Sequence, residues 1–217
     1  MNLASEREMS ETMPIVIVMI ALVVLFGALG LAYERQKSDE RRQWAENRGF
    51  DFTESDRDLG RRTGRLFRIG GATARDVLRI PTRAGEALYY ELVWTESYGD
   101  DRRTEACAIL RYPLPGPLPL MRIKPEGVFG LANNDLTTEW QEFNREFDVK
   151  TDDERVGQAV LTRPVQEFLM DRLRGERLAF DGDGVFLWID RYDVEDADRC
   201  VKLMEELAAL IPAAAYE

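Results

Sequence analysis

The pattern of apolar and polar positions divides the chain into one long uncharged run and a longer mixed region. From Pro14 to Tyr33 the sequence reads PIVIVMIALVVLFGALGLAY. At about 1.5 Å of rise per residue, a helix of this length is roughly 30 Å long, the thickness of a bilayer's hydrocarbon core. Twelve of its residues are Val, Ile, Leu or Phe, which together favour insertion by about 5 kcal/mol. The run is expected to be a transmembrane helix. Gly27 and Gly30 lie three apart, so they miss the four-residue GxxxG dimerisation spacing. A cleaved signal peptide is the competing reading, with Ala28-Leu29-Gly30 as its small-x-small site. Such peptides have a basic start and a shorter apolar core, whereas here Glu6, Glu8 and Glu11 oppose Arg7. No cysteine follows directly for a lipoprotein anchor.

Glu34 to Arg48 is rich in helix formers and is followed by Gly49, a suitable C-terminal stop. It reads as a juxtamembrane helical stalk, polar except for Trp44. Beyond it, period-two alternation predicts strands. These are Gly49–Thr53, Gly64–Ile69, Ala74–Ile80, Ala87–Thr95 and Thr104–Tyr112, with a further short one at Met121–Lys124. Gly70-Gly71 is a turn signal, and Tyr98 to Asp101 joins two strands as an antiparallel hairpin. In the fourth strand Leu88, Tyr90, Leu92 and Trp94 share a face. Pro113–Leu120 (PLPGPLPL) breaks the pattern and reads as a stiff connector.

The second half mixes elements. Phe143, Arg145, Phe147 and Val149 alternate as a strand, and Asp153–Leu161 is a short helix. Thr162 caps a second helix with Pro164 in its first turn. Arg177–Asp190 reads as a hairpin about Asp181-Gly182-Asp183-Gly184. Asp193 caps a last helix that buries Val194, Ala197, Val201, Met204, Ala208 and Ile211. The expected fold class is α+β. It comprises a tail (1–13), a transmembrane helix (14–33), a stalk (34–48) and a soluble antiparallel-sheet domain with C-terminal helices (49–217).

Charge refines this picture. Only Arg7 precedes the apolar run, while Arg35, Lys37, Arg41, Arg42 and Arg48 follow it. The positive-inside rule then places the tail outside the cell membrane and the C-terminal domain in the cytoplasm. The net charge of −11 argues against a nucleic-acid partner. Its distribution is uneven: Arg57 to Arg83 carries a net +6 and Glu126 to Glu217 a net −12. A basic face towards anionic lipid is one reading, with Arg61, Arg62, Arg65, Arg68, Arg75 and Arg79 as the candidate lipid-facing patch. Arginines on the solvent side of strands is the other. The two cysteines, Cys107 and Cys200, fall in apolar patterns and are expected to be buried and unpaired. There is no histidine, which excludes the Ser-His-Asp and Cys-His constellations and most zinc and haem sites.

From Phe143 to Leu169 the sequence FNREFDVKTDDERVGQAVLTRPVQEFL resembles an uncharacterised family of bacterial membrane-anchored proteins, often labelled "secreted". Phe147, Val149, Asp153, Leu161 and Thr162 carry the resemblance, and Pro164 sits one place late because Arg163 intervenes. It implies a membrane-tethered domain and brings no catalytic residue.

Candidate chemistry is sparse. Asp181-Gly182-Asp183-Gly184 lacks the later ligands of a calcium loop. Asp148, Asp152, Asp153 and Glu154 offer carboxylates for a divalent cation or for acid–base work, or else form a solvated turn before a helix. Gly60, Gly64, Gly70 and Gly71 among arginines lack the Walker and dinucleotide spacings and read as turn glycines. No catalytic, cofactor or metal residue is assigned. The expected role is a non-enzymatic interaction domain holding a protein partner at the bilayer. A membrane-tethered enzyme using carboxylates and a metal, or an anionic-lipid sensor, are the alternatives.

Overall fold

The structure, a computed structural model, describes residues 35–99, 101–126 and 136–216, with isolated positions 19, 22, 25, 26, 32 and 33. Most of Pro14–Tyr33 lies outside the described residues. Among the described residues no helix is long and apolar enough to cross a membrane. The chain divides into two compact units, Met1–Gln43 and Trp44–Glu217. Residues 35–47 are helical (α1). They stop where Phe50 N–H bonds to the Ala45 carbonyl at 2.9 Å and Gly49 N–H to Glu46 at 3.1 Å. Gly49 takes the left-handed conformation (φ 71) that this stop requires. Trp44 packs on Phe50, ring centroids 5.9 Å apart, and both rings lie against the core of the larger unit.

The larger unit is α+β, built on one antiparallel sheet. Its strands are β1 (Asp51–Asp56), β2 (Thr73–Thr82), β3 (Gly85–Tyr98), β4 (Asp101–Pro125), β5 (Phe147–Thr151) and β6 (Arg177–Ile189). The order runs β1-β2-β3-β4-β5, and β6 also pairs with β4. The 25-residue β4 organises everything. β6 follows one of its edges from Ala108 to Ile123, while β3 and then β5 share the other. The helices are α2 (Arg57–Leu66), α3 (Gln141–Glu146), α4 (Glu154–Val160), α5 (Arg163–Arg172) and α6 (Ala197–Leu210).

Two cores form because strand side chains alternate between the two faces. The larger holds Leu78, Tyr89, Leu110, Phe147 and Phe180 against side chains of α3 to α6, such as Phe143, Val160, Leu169, Met204 and Leu207. The smaller holds Val77, Leu88, Tyr90, Leu92, Ile109, Phe186 and Trp188 against Leu59 and Leu66 of α2. The shared face expected for Leu88, Tyr90 and Leu92 is therefore found. The two cysteines are free and buried, one in each core, on opposite sides of the sheet.

Several expected elements are corrected. Gly64–Ile69 is not a strand. Asp56 caps the N-terminus of α2 by accepting from Leu59 N–H at 2.8 Å, and the helix runs through Gly64. Arg177–Asp190 is not a hairpin but mostly the single strand β6, and the proline-rich string is not a connector but the middle of β4. The two segments bulge against each other, with register shifts between Pro113, Leu118 and Met121. Proline lacks the N–H a regular ladder needs, and Gly182 (φ 55) supplies the bend. The bulges invert the alternation of both strands. Leu178 and Phe180 share a core with Val185 and Leu187, whereas Phe186 and Trp188 face the other. Phe143–Val149 splits into α3 and β5. Thr162 stands at the start of α5, but its hydroxyl makes no capping bond. Asp193 caps a 3-10 turn, Val194–Asp196, that precedes α6.

Candidate functional site

Helix α2 lies unusually close to the sheet. A Cβ on Gly60 would stand 2.4 Å from Ala74 N and Thr73 Cα, and one on Gly64 would stand 2.7 Å from the Ile69 carbonyl oxygen. Between them Thr63 Oγ1 shares a buried hydrogen bond with Tyr90 Oη at 2.5 Å. These glycines are thus neither turn residues nor a phosphate loop; Gly60 lets the helix backbone rest on β2, and Gly64 lets the chain after the helix turn back against it. Leu59, Gly60, Thr63, Gly64 and Leu66 are the buried positions, a helical spacing readable in the sequence once Asp56 is taken as a cap.

The end of α2 repeats the stop seen after α1. Ile69 N–H bonds to the Gly64 carbonyl at 2.7 Å and Arg68 N–H to Arg65 at 3.3 Å. Here the left-handed position is filled by Arg68 (φ 61), not glycine. A side chain there costs about 1–2 kcal/mol, although Gly70 and Gly71 lie two and three residues on.

Arg68 borders a cleft of about 240 Å³ lined by Phe67, Arg68, Arg122, Ile123, Lys124, Asp148, Lys150, Arg177 and Leu178. The sheet face that is apolar beneath α2 becomes cationic beyond the helix end. Register sets the cations side by side: Arg122 lies opposite Lys150, and Lys124 opposite Asp148. Arg122 donates through Nε to the Leu66 carbonyl, with Nη2 3.5 Å from the Arg65 carbonyl, so it covers the negative end of α2. Burial presses the Arg122 pKa below its ordinary value, and the Arg68 charge beside it adds to the effect. Lys124 Nζ pairs with Asp148 Oδ2 at 3.1 Å. Asp148 is 7% exposed, and its buried Oδ1 has no hydrogen-bond donor among the described residues. Arg177 lies over the Trp188 ring at 5.0 Å. Arg68, Lys150 and Arg177 make no ion pair among the described residues. Five cations and one carboxylate line the cleft, with Asp152 and Asp181 acting on Arg122 from nearby, so the recess is net positive inside an acidic protein.

The sequence-derived basic patch is dispersed. Arg61 pairs with Asp58 on the exposed flank of α2, where Arg62 and Arg65 are also exposed. Arg79 pairs with Glu86 at 2.7 Å. A bulge at Asp76 (φ 49) shifts β2 between Arg75 and Leu78. It inverts the alternation, so Arg75 and Arg79 point to opposite faces. Of the six arginines only Arg68 reaches the cleft. The alternations Arg122-Ile123-Lys124 and Asp148-Val149-Lys150 carried the signal for the others, but only pairing of β4 with β5 joins them.

The acidic residues do not assemble. Asp148 faces Lys124, and Asp153 accepts from Arg155 N–H at 2.9 Å and Val156 N–H at 3.2 Å, capping α4. Among the described residues no group of three or more metal-binding side chains is present. A larger hollow of about 560 Å³ lies near Trp140 and Gln166. Its one cation, Arg163, already pairs with Glu167 at 2.8 Å and lies 3.7 Å from the Trp140 ring centroid.

Fold and cleft together define a class: a one-sheet α+β domain with a hydrophobic core on each face of the sheet and a cationic recess at the end of α2. Among solved structures, the mycobacterial trehalose monomycolate transport factor A, TtfA, is similar, with a TM-score of 0.52 at 16% identity over 81% of this chain and 96% of that one. At that identity the likeness is one of fold. No protein-family model matches the chain, and no curated protein does.

Proposed function

We propose that this chain is a membrane-tethered, non-enzymatic binding domain whose cleft takes an anionic ligand at the cytoplasmic face of the membrane. The observation that carries the reading is the convergence of Arg68, Lys150 and Arg177, without ion pairs, on one recess that also holds Arg122 and Lys124. Like charges held together destabilise the folded state unless an anion joins them. The tether rests on the apolar run Pro14–Tyr33. Within it Met19, Leu22, Leu25 and Phe26 are 42–68% exposed, and large uncovered apolar side chains on a helix call for lipid or a partner as cover. The excess of Arg and Lys after the run supports the cytoplasmic orientation. The resemblance to membrane-anchored proteins belongs to the same reading. So does the structural likeness to a transport factor for trehalose monomycolate, from which we carry over a role at membrane lipid and not that substrate. A protein partner bound near the bilayer is compatible with this role.

Two measurements test it. A C-terminal reporter active only in the cytoplasm should give signal; signal only outside would overturn the orientation. Hydrogen exchange on the full chain in non-ionic detergent should show residues 66–70 and 148–150 protected by phosphate. The protection should weaken in high salt, because exposed charge attraction is screened over about 8 Å at physiological ionic strength. If neither phosphate nor nanodiscs containing anionic lipid protect these residues, the cleft is not an anion site.

A further inference from the structure

We infer that the cleft recognises a phosphate group carried on a polyol, and that Asp148 reads the hydroxyl beside the phosphate. The inference rests on the anion reading above and adds the chemical class of ligand. Arg68, Lys150 and Arg177 supply donors for phosphate oxygens, and the guanidinium forks of the two arginines match such oxygens in geometry. Arg68 holds its place in a backbone conformation that favours glycine, which marks it as a residue kept for its side chain.

Asp148 is the unusual member. A carboxylate in a phosphate site repels a bare phosphate dianion, so a cleft evolved only for charge would omit it. It offers about four acceptor positions, and Lys124 takes one of them through Oδ2. Oδ1 is buried without a donor. The terminal carboxylate torsion is soft, so a small rotation presents either oxygen to a hydroxyl in the cleft. A ligand hydroxyl then supplies the missing donor while every phosphate oxygen stays free for the cations, whereas inorganic phosphate can satisfy Asp148 only by turning its own P–OH towards it and away from them. The volume of about 240 Å³ lies below the ~300–1,000 Å³ of drug-sized sites, which suits a headgroup-sized molecule. The same chemistry occurs in a free sugar or glycerol phosphate and in the headgroup of a polyol phospholipid.

The test is calorimetric titration of the full chain in non-ionic detergent with inorganic phosphate, glycerol phosphate and short-chain phosphatidylglycerol. Glycerol phosphate should bind about ten- to a hundred-fold tighter than inorganic phosphate, the range expected of one charge-assisted hydrogen bond. Asp148→Asn should narrow that ratio to about threefold or less, whereas Arg68→Gly and Lys150→Gln should weaken both ligands together. Equal affinity for the two in the unmodified protein, which needs no variant to fold, would overturn the inference and leave the anion reading intact. An unchanged ratio in a folded Asp148→Asn protein would overturn it equally. Binding of no anion at all would overturn both. Phosphatidylglycerol bound with the same variant dependence identifies a lipid headgroup as the source. Binding of glycerol phosphate alone identifies a soluble ligand.

Discussion

Replacing Gly60 by alanine adds one methyl group at the contact that seats α2 on the sheet. The new carbon would lie 2.4 Å from Ala74 N and Thr73 Cα, both backbone atoms that no rotamer change can move. The helix must retreat by about 1 Å to restore ordinary van der Waals contact. Such overpacking costs about 1–3 kcal/mol. The retreat also pulls Thr63 from Tyr90, now 2.5 Å apart, and leaving buried hydroxyls unpaired costs about 1–3 kcal/mol more. Alanine's better helix propensity offsets about 1 kcal/mol. The net expectation is a loss of about 1–5 kcal/mol. Urea unfolding of the full chain in non-ionic detergent, followed by tryptophan fluorescence, measures it. Trp188 is a suitable reporter, because its ring lies 5.2 Å from Phe67 beside the helix end. Gly70→Ala is the control: a Cβ there meets nothing within 4 Å, so the change should stay within about 0.5 kcal/mol. A Gly60→Ala protein as stable as the unmodified one would refute the close seating of α2 and, with it, the placement of Arg68 at the cleft.

Arg68→Gly should stabilise the fold by about 1 kcal/mol, by relieving the left-handed backbone, while it weakens anion binding; a rise in urea midpoint checks it. Tyr90→Phe should cost about 1–3 kcal/mol by stranding the Thr63 hydroxyl, and adding Thr63→Val should recover part of that in a double-mutant cycle. Cys107 and Cys200, 2% and 1% exposed, should resist alkylation in the native protein at pH 8 and react once it is unfolded. Burial pushes the Cys200 pKa up to about 11, against about 8.5 for a free thiol. Between those values the unfolded chain loses the proton first, so this contribution to stability is complete below about pH 8.5 and is lost as pH rises towards 11. Cys200→Ala should flatten that alkaline decline in unfolding experiments at successive pH values.

The cleft joins features that separate readings of the chain would leave unrelated. The bulge in β2 divides the arginine-rich segment between two faces, and the close packing of α2 carries only its last arginine over the edge of the sheet. Asp148, grouped by sequence with the acids that follow it, becomes instead the one carboxylate among the five cations that line the cleft.

Much of the architecture was legible along the chain. Alternation located β1, most of β2, β3 and the first half of β4, and the Tyr98–Asp101 hairpin, because each of those strands buries one face locally. A capping role for Asp193, though on a 3-10 turn before α6, and the proline at the start of α5 followed from backbone chemistry within one turn. The α+β class and the inert cysteines needed no more than that. What the sequence could not decide was set by pairing between distant segments. GRRTG reads as loop glycines until β2 provides a backbone for Gly60 to touch and the chain turning back after α2 provides one for Gly64. PLPGPLPL and DGDG read as breaks until each is seen to absorb the other's irregularity. The site was hidden for the same reason: Arg122, Lys124, Asp148, Lys150 and Arg177 occupy three strands, and only hydrogen-bond register brings them together. Local order depends on neighbours in sequence, whereas a binding site depends on which strands share an edge, and that is decided by the packing of the whole sheet.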